Sequence, residues 1–126
     1  MMGQWMVVAG SLSAFVGVGL GAFGAHGLRD RLDERMLSAW ETAVQYHLIH
    51  ALALLIVAAL AARAATVPTS VHVAAGLLLA GQLLFSGSIY LLATTGMRWL
   101  GPITPLGGVA LMLGWLVLAW AAARGF

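Results

Sequence analysis

The chain has 126 residues, of which 62% are hydrophobic and 8% are charged, and its mean hydropathy is +0.98. Soluble domains carry about a quarter charged residues, so this composition excludes a soluble globule and predicts an integral membrane protein that contacts the lipid bilayer. The net charge of +2 comes from scattered arginines and the chain has no cysteine. Nucleic acid is therefore excluded as a partner, and disulfides and thiolate chemistry are excluded as well.

The charges leave four charge-free stretches, at 1–28, 42–62, 64–97 and 99–123. Each is long enough for the roughly 20 apolar residues that cross a hydrocarbon core. The sequence therefore predicts an all-α fold, a single transmembrane domain over 1–126 that forms an antiparallel bundle of four transmembrane helices. The predicted helices are Trp5–Leu28, Trp40–Ala62, Val71–Thr94 and Thr104–Ala123.

The first predicted helix carries small residues at a spacing of four, which we expect to lie on one face. Within lipid, small residues allow helix backbones to approach closely, so this face predicts helix packing, against a neighbouring helix or another subunit. Its residues are Ser13, Gly17, Gly21 and Ala25. Weaker surfaces of the same kind are Gly76 with Ala80, and Gly107 and Gly108 with Gly114.

The segment from Arg29 to Glu41 holds seven of the ten charges. Apolar residues recur every four positions among these charges, at Leu28, Leu32, Met36 and Trp40. This pattern predicts a short amphipathic segment between helices 1 and 2, either an interfacial helix or an extension of the second span, and the alternative is a solvated charged turn. The motif beginning at Ser38 predicts a capping box for the second helix, and Thr104 before Pro105 predicts a hydroxyl cap for the fourth.

Aromatic and basic residues indicate where the membrane surfaces lie. The expected tryptophan belt has Trp5 and Trp120 at one interface and Trp40 and Trp99 at the other. The face with the first and third loops holds four arginines, whereas the face with both termini holds Arg63 and Arg124. The positive-inside rule then predicts that both termini lie on the outer side of the membrane, away from the cytoplasm.

When the four helices are laid antiparallel, the polar segments within the spans come together at the face of the first and third loops. The opposite half offers only His72. The clustered side chains are the candidate ligand-binding residues, and they include three histidines. They are His26, Tyr46, His47, His50, Ser86, Ser88, Tyr90 and Thr104.

His50 is the most informative of these residues, because it lies about 12 Å along the second helix, where an unpaired polar group is costly. We expect it to bond Ser86, Ser88 or Tyr90 and so to join the helices. The alternative is a site for a small ligand, a lipid head group or a proton. The spans hold no carboxylate cluster and no HExxH motif, so we predict no metal, no haem or other cofactor, and no catalytic residue.

Four blocks of the sequence also resemble the YgdD-like family of small bacterial inner-membrane proteins of unknown function. The blocks are Leu20–Leu28, Trp40–Leu55, Phe85–Thr95 and Leu100–Trp115. The resemblance implies a four-helix, multi-pass protein of the bacterial inner (plasma) membrane, and it transfers no activity or ligand. His26, Tyr46 and His50 match the family pattern, whereas the position of His47 is commonly glutamine in that pattern.

No reaction is indicated by the sequence, and the lack of an acid within the spans weighs against an enzyme. The function that we expect is an accessory or structural subunit, docked through the first helix to a larger membrane protein complex. A homo-oligomer is the other association that remains open. The alternative function is a module that binds or transports a small ligand, a lipid or a proton through the polar cluster.

Overall fold

The computed structural model describes residues 3–126, which form four long α-helices and no strand. Each helix is long and apolar enough to cross a membrane, so the predicted all-α fold with four spans is confirmed. A single 3-10 turn, Arg98–Leu100, lies between the third and fourth helices. The helices are α1 (Gln4–His26), α2 (Glu34–Ala61), α3 (Thr69–Thr95) and α4 (Ile103–Ala123).

The second helix starts earlier than predicted, because Asp33 rather than Ser38 caps it. The Asp33 carboxylate accepts a hydrogen bond from the backbone N–H of Met36 at 2.7 Å. Glu34 in the first turn stabilises the positive end of the helix dipole. The amphipathic stretch is therefore an extension of α2 from Glu34 onward, and residues 27–32 form turns and bends.

The connection between α3 and α4 also differs from the prediction. Gly96 ends α3 in the left-handed conformation, with φ 72°, and its N–H donates to Leu92 O at 2.9 Å. The fourth helix begins at Ile103, and Thr104 does not cap it. The Thr104 hydroxyl instead lies 2.5 Å from the Ser88 hydroxyl of α3. This hydroxyl therefore joins two helices and does not terminate one.

Helices α2 and α3 form the centre of the bundle, with α1 packed on α2 and α4 packed on α3. Side chains of the two outer helices also reach the more distant central helix. Ser13 of α1 bonds Gln82 of α3, and Trp115 of α4 bonds His50 of α2. The outer helices are consequently less buried than the central pair, and α1 is the least buried of all.

Small residues bring α1 against α2. A Cβ on Gly17 would lie 2.7 Å from Leu48 Cδ2, and a Cβ on Gly24 would lie 2.5 Å from Trp40 Cδ1. Ala25, which the four-residue spacing places on this face, is exposed. Ala25 takes no part in the contact with α2, because a helix turns about 100° per residue and Ala25 lies about 120° around α1 from Ser13, whereas Gly24 lies within about 20° of it.

Trp40 belongs to the interior of the bundle, which corrects its predicted place in the interfacial belt. Its side chain is 2% exposed, and its indole N–H donates to Leu20 O of α1 at 2.9 Å. The ring lies 4.7 Å from the ring of Tyr90 on α3, measured between centroids. Trp40 therefore connects α1, α2 and α3. Trp99 and Trp120 remain exposed, as expected for belt residues.

Glycines also bring α3 and α4 together. A Cβ on Gly107 would lie 2.7 Å from the Cα of Phe85, and one on Gly114 would lie 2.9 Å from Leu78 Cδ2. The predicted surface at Gly76 and Ala80 is not used, because a Cβ on Gly76 would meet nothing within 4 Å and Ala80 is exposed. The backbones of α3 and α4 thus approach each other closely around Gly107.

The interior is divided into an apolar half and a polar half. The apolar core lies toward the end that holds the loop between α2 and α3. It contains Met6, Leu54, Val57, Val71, Leu78 and Leu111. Most of the buried polar side chains lie toward the other end, and Gln82 lies near the middle of α3.

The neighbouring glycines of α4 supply a matched test of this packing. Gly107→Ala should lower the free energy of unfolding by about 2 kcal/mol, because the new methyl group meets backbone atoms that cannot move aside. Gly108→Ala should leave it unchanged or raise it by up to about 1 kcal/mol, since only Phe85 Cδ2 lies near, at 3.9 Å. The measurement is unfolding in mixed micelles followed by circular dichroism, and equal effects at the two positions would contradict the packing.

Candidate functional site

The predicted polar cluster consists of separate hydrogen-bonded groups in the structure. One group surrounds His47 and a second surrounds His50, and both histidines lie on α2 with less than a tenth of their surface exposed. A third group joins hydroxyls of α3 to the helices on either side.

The His47 group connects α1, α2 and α3. Its Nδ1 lies 2.9 Å from the Tyr90 hydroxyl, and its Nε2 lies 3.0 Å from Ser13 Oγ. Ser13 in turn donates to the side-chain oxygen of Gln82. Gly17, one turn after Ser13, allows α1 to approach closely enough for these bonds, since a Cβ there would overlap Leu48 of α2.

The direction of these bonds follows from the Ser13 hydroxyl. Because Ser13 donates to Gln82, its oxygen accepts from His47, so His47 carries its proton on Nε2. The free lone pair on Nδ1 then accepts from the Tyr90 hydroxyl. The Gln82 amide completes the chain by donating to Leu78 O at 3.5 Å. Both ring nitrogens of His47 are thus bonded to protein groups.

His50 has different partners from those predicted. Its Nδ1 donates to the backbone oxygen of Tyr46, one turn earlier, at 2.7 Å, and its Nε2 accepts from the indole N–H of Trp115 at 3.0 Å. The expectation of Ser86, Ser88 or Tyr90 as a partner is therefore wrong. Helix α2 is rotated so that His50 faces α4, and Tyr90 faces His47 instead.

The hydroxyls of α3 bind the helix to its two neighbours. Ser86 donates to the backbone oxygen of Ala43 on α2 at 2.6 Å, and Ser88 donates to Phe85 O at 2.9 Å. Ser88 also bonds Thr104 of α4. Both serines are buried. Ser86 thus bonds α2 and Ser88 bonds both its own helix and α4, and bonds between helices are typical of polar side chains in transmembrane segments.

The side chains of two predicted residues lie on the surface of the bundle. His26 is exposed on the last turn of α1. The Tyr46 side chain is 42% exposed on the outer surface of α2, with its ring 4.8 Å from the Phe85 ring. The Tyr46 ring also stacks on the His50 ring, with centroids 6.1 Å apart, so Tyr46 borders the His50 group from the outer surface. The structure thus does not bring the eight predicted residues into one site.

Sequence reasoning missed Gln82 and Trp115. Gln82 is 1% exposed and lies in the middle of α3, about two turns deeper than Tyr90. It also shows that the polar groups are not confined to one face. A lone amide within a charge-free span is itself a signal of a buried partner, and this signal could have identified Gln82. Ser13 was assigned only to packing, although its hydroxyl is central to the His47 group.

A further histidine contact lies at the opposite end of the bundle. The Trp5 indole N–H donates to His72 Nδ1 at 3.0 Å, and the two rings stack with centroids 6.2 Å apart. The other ring nitrogen of His72 is buried without a partner among residues 3–126. This pair fixes the start of α1 against the start of α3.

The geometry limits the chemistry of the polar groups. Within residues 3–126, no three His, Asp or Glu side chains come together as a metal site. Both nitrogens of His47 and both of His50 are occupied by protein groups. The chain of bonds through His47 ends on a backbone oxygen at Leu78 and does not lead to the opposite membrane face. Side-chain hydrogen bonds of these groups connect all four helices.

Comparison with known proteins agrees with the membrane fold. The model of the family described as "Protein of unknown function (DUF423)" matches residues 20–108. The UPF0382 membrane protein YwdK of Bacillus subtilis is 47% identical over 118 residues, which cover 94% of this chain and 95% of the relative. A UPF0382 membrane protein of Staphylococcus epidermidis is 45% identical, with 94% of each chain covered. No solved structure matches the chain.

The family model spans more than half of the sequence, and the named relatives align along nearly all of it. The four apolar helices fit the description of those relatives as membrane proteins. This chain therefore belongs to the DUF423 family and is a membrane protein whose molecular function is unknown.

Proposed function

We propose that this protein is a non-catalytic accessory subunit that docks onto a larger membrane protein complex through the outer face of α1. The proposal is based on the low burial of α1, which is the least buried span of the bundle. Its side chain Phe15 is 77% exposed. The occupied polar interior supports the non-catalytic part of the proposal, because its histidines have no free nitrogen for a substrate.

The docking surface is the outer groove of α1, a shallow depression of about 630 Å³ whose lining includes Ser11, Phe15 and Gly19. Ser11 and Gly19 lie one turn before and one turn after Phe15 and are exposed. Small and hydroxyl-bearing residues favour contact between transmembrane helices, because they permit close approach and interhelical hydrogen bonds. A partner helix could thus pack across Phe15 with its backbone near Gly19.

The small-residue face of α1, which carries Gly17 and Gly21, is occupied by α2 of the same chain. Gly17 and Gly21 lie against Leu48 and Val44 of α2, so these glycines cannot also receive another subunit. The outer groove is on the opposite side of the helix. Docking through α1 is therefore proposed for this outer side alone.

The membrane that we propose is the bacterial inner (plasma) membrane. Helical spans support this location, since proteins of the bacterial outer membrane are typically β-barrels. The relatives in Bacillus and Staphylococcus support a bacterial setting. The resemblance to the YgdD-like family, which is described as an inner-membrane family, is part of the same proposal.

Substitutions of His47 test whether the polar interior is structural. His47→Gln should retain the free energy of unfolding within about 0.5 kcal/mol, because a glutamine offers one acceptor and one donor in place of Nδ1 and Nε2. His47→Leu should lower it by about 1–3 kcal/mol, since Tyr90 and Ser13 lose their partner. Unfolding in mixed micelles measures both variants, with Gln45→Leu on the exposed side of α2 as the control. Equal losses in the two His47 variants would contradict a purely hydrogen-bonding role.

Purification from native membranes tests the docking proposal. The tagged chain, solubilised in a mild detergent, should retain another membrane protein in a fixed ratio. Gly19→Leu should abolish this retention, whereas Gly76→Leu should preserve it. A Cβ at either glycine meets nothing within 4 Å, so both variants are expected to fold.

The composition of the purified sample decides the result. A stoichiometric partner that is lost only in Gly19→Leu supports docking through the outer groove. A lone chain, a homo-oligomer, or a partner retained equally by both variants would contradict the proposal. Native electrophoresis and mass spectrometry of the same fraction distinguish these outcomes.

A further inference from the structure

A second surface feature lies at the end of the bundle opposite the His47 group and has no part in the proposed docking. It is a groove of about 970 Å³ between the end of α2, the loop that follows it, the start of α3 and the end of α4. This groove, termed the arginine groove, is lined by residues that include Leu60, Arg63, Ser70, Trp120, Arg124 and Phe126. Two of the six arginines of the chain line this groove.

The charge of the arginine groove is not balanced by acidic side chains. All four acids of the chain lie between Asp30 and Glu41, near the other membrane face. Glu41 and Ala61 are both on α2, so about 30 Å of helix separates the last acid from this end. That distance exceeds the Debye length of about 8 Å at physiological salt. Arg63 and Arg124 therefore present positive charge that acidic side chains of the chain do not neutralise.

The walls of the arginine groove combine this charge with apolar and aromatic surface. The Arg124 guanidinium lies 5.1 Å from the centroid of the Trp120 ring, and that ring is 56% exposed. Tryptophan and arginine are typical of the depth at which lipid headgroups lie. Leu60 and Phe126 supply apolar surface in the same groove. An amphiphile could thus contact cationic and apolar walls together.

We propose that the arginine groove binds an anionic phospholipid, with its phosphate at Arg63 and Arg124 and an acyl chain against the apolar wall. The guanidinium group suits this ligand, because its planar donors match phosphate oxygens in pairs. The apolar wall favours a lipid over free phosphate, which would gain nothing from Leu60 or Phe126. The site is separate from the polar cluster around His47, and the proposal does not depend on the accessory-subunit function.

The test compares lipids on the intact protein by native mass spectrometry in detergent. We expect phosphatidylglycerol to bind at least tenfold more tightly than phosphatidylcholine at 0.15 M salt, since each arginine near a membrane adds about fivefold to the attraction of an anionic lipid. The double variant Arg63→Gln/Arg124→Gln should lose this preference. The matched control, Arg31→Gln/Arg98→Gln, removes the same charge from the other membrane face and should retain it.

Each other outcome would overturn the proposal. No preference for phosphatidylglycerol in the unmodified protein would exclude the site directly. An equal loss in both double variants would assign the preference to net charge and not to the groove. Displacement of the lipid by millimolar inorganic phosphate would identify a free-anion site instead.

A second measurement on the unmodified protein does not depend on how the variants fold. Raising the salt from 0.15 M to 1 M shortens the Debye length from about 8 Å to about 3 Å. The preference for phosphatidylglycerol should therefore fall severalfold, while binding of phosphatidylcholine stays the same. A preference that is insensitive to salt would contradict recognition by Arg63 and Arg124.

Discussion

A hydrocarbon layer offers no hydrogen-bond partner to a polar group, and the interior of this protein is organised by that constraint. Each buried polar side chain in the polar half of the interior must therefore bond a side chain of another helix or a nearby backbone oxygen. His47 meets Tyr90 and Ser13, and His50 meets Trp115. These hydrogen bonds form only when each helix is rotated so that its polar side chain faces its partner.

These hydrogen bonds depend in turn on small residues that let the helices approach. Ser13 can reach His47 because Gly17 leaves room for Leu48 beside it. Gly24 has the same effect on Trp40, whose indole then reaches a carbonyl oxygen of α1. Close packing and polar pairing are therefore two aspects of one arrangement, since polar side chains can bond across helices only when the backbones are near.

The two ends of the bundle consequently have different properties. At one end, histidines and hydroxyls join the helices, and the loop before α2 together with the first turns of α2 carries all four acids. The other end has an apolar core behind a surface groove that contains Arg63 and Arg124. The outer groove of α1 and the arginine groove are both on the outer surface of the bundle.

The sequence by itself determined the four spans and the end at which most polar groups lie, because hydropathy and charge are properties of each segment alone. Only the tertiary structure decided that His50 pairs with Trp115, that Gln82 joins the His47 group and that Gly24 replaces Ala25 in the helix contact. These choices depend on the rotation and depth of each helix relative to its neighbours. A helix turns about 100° per residue, so a shift of one position redirects a side chain to another partner, and only contacts between distant segments fix that rotation.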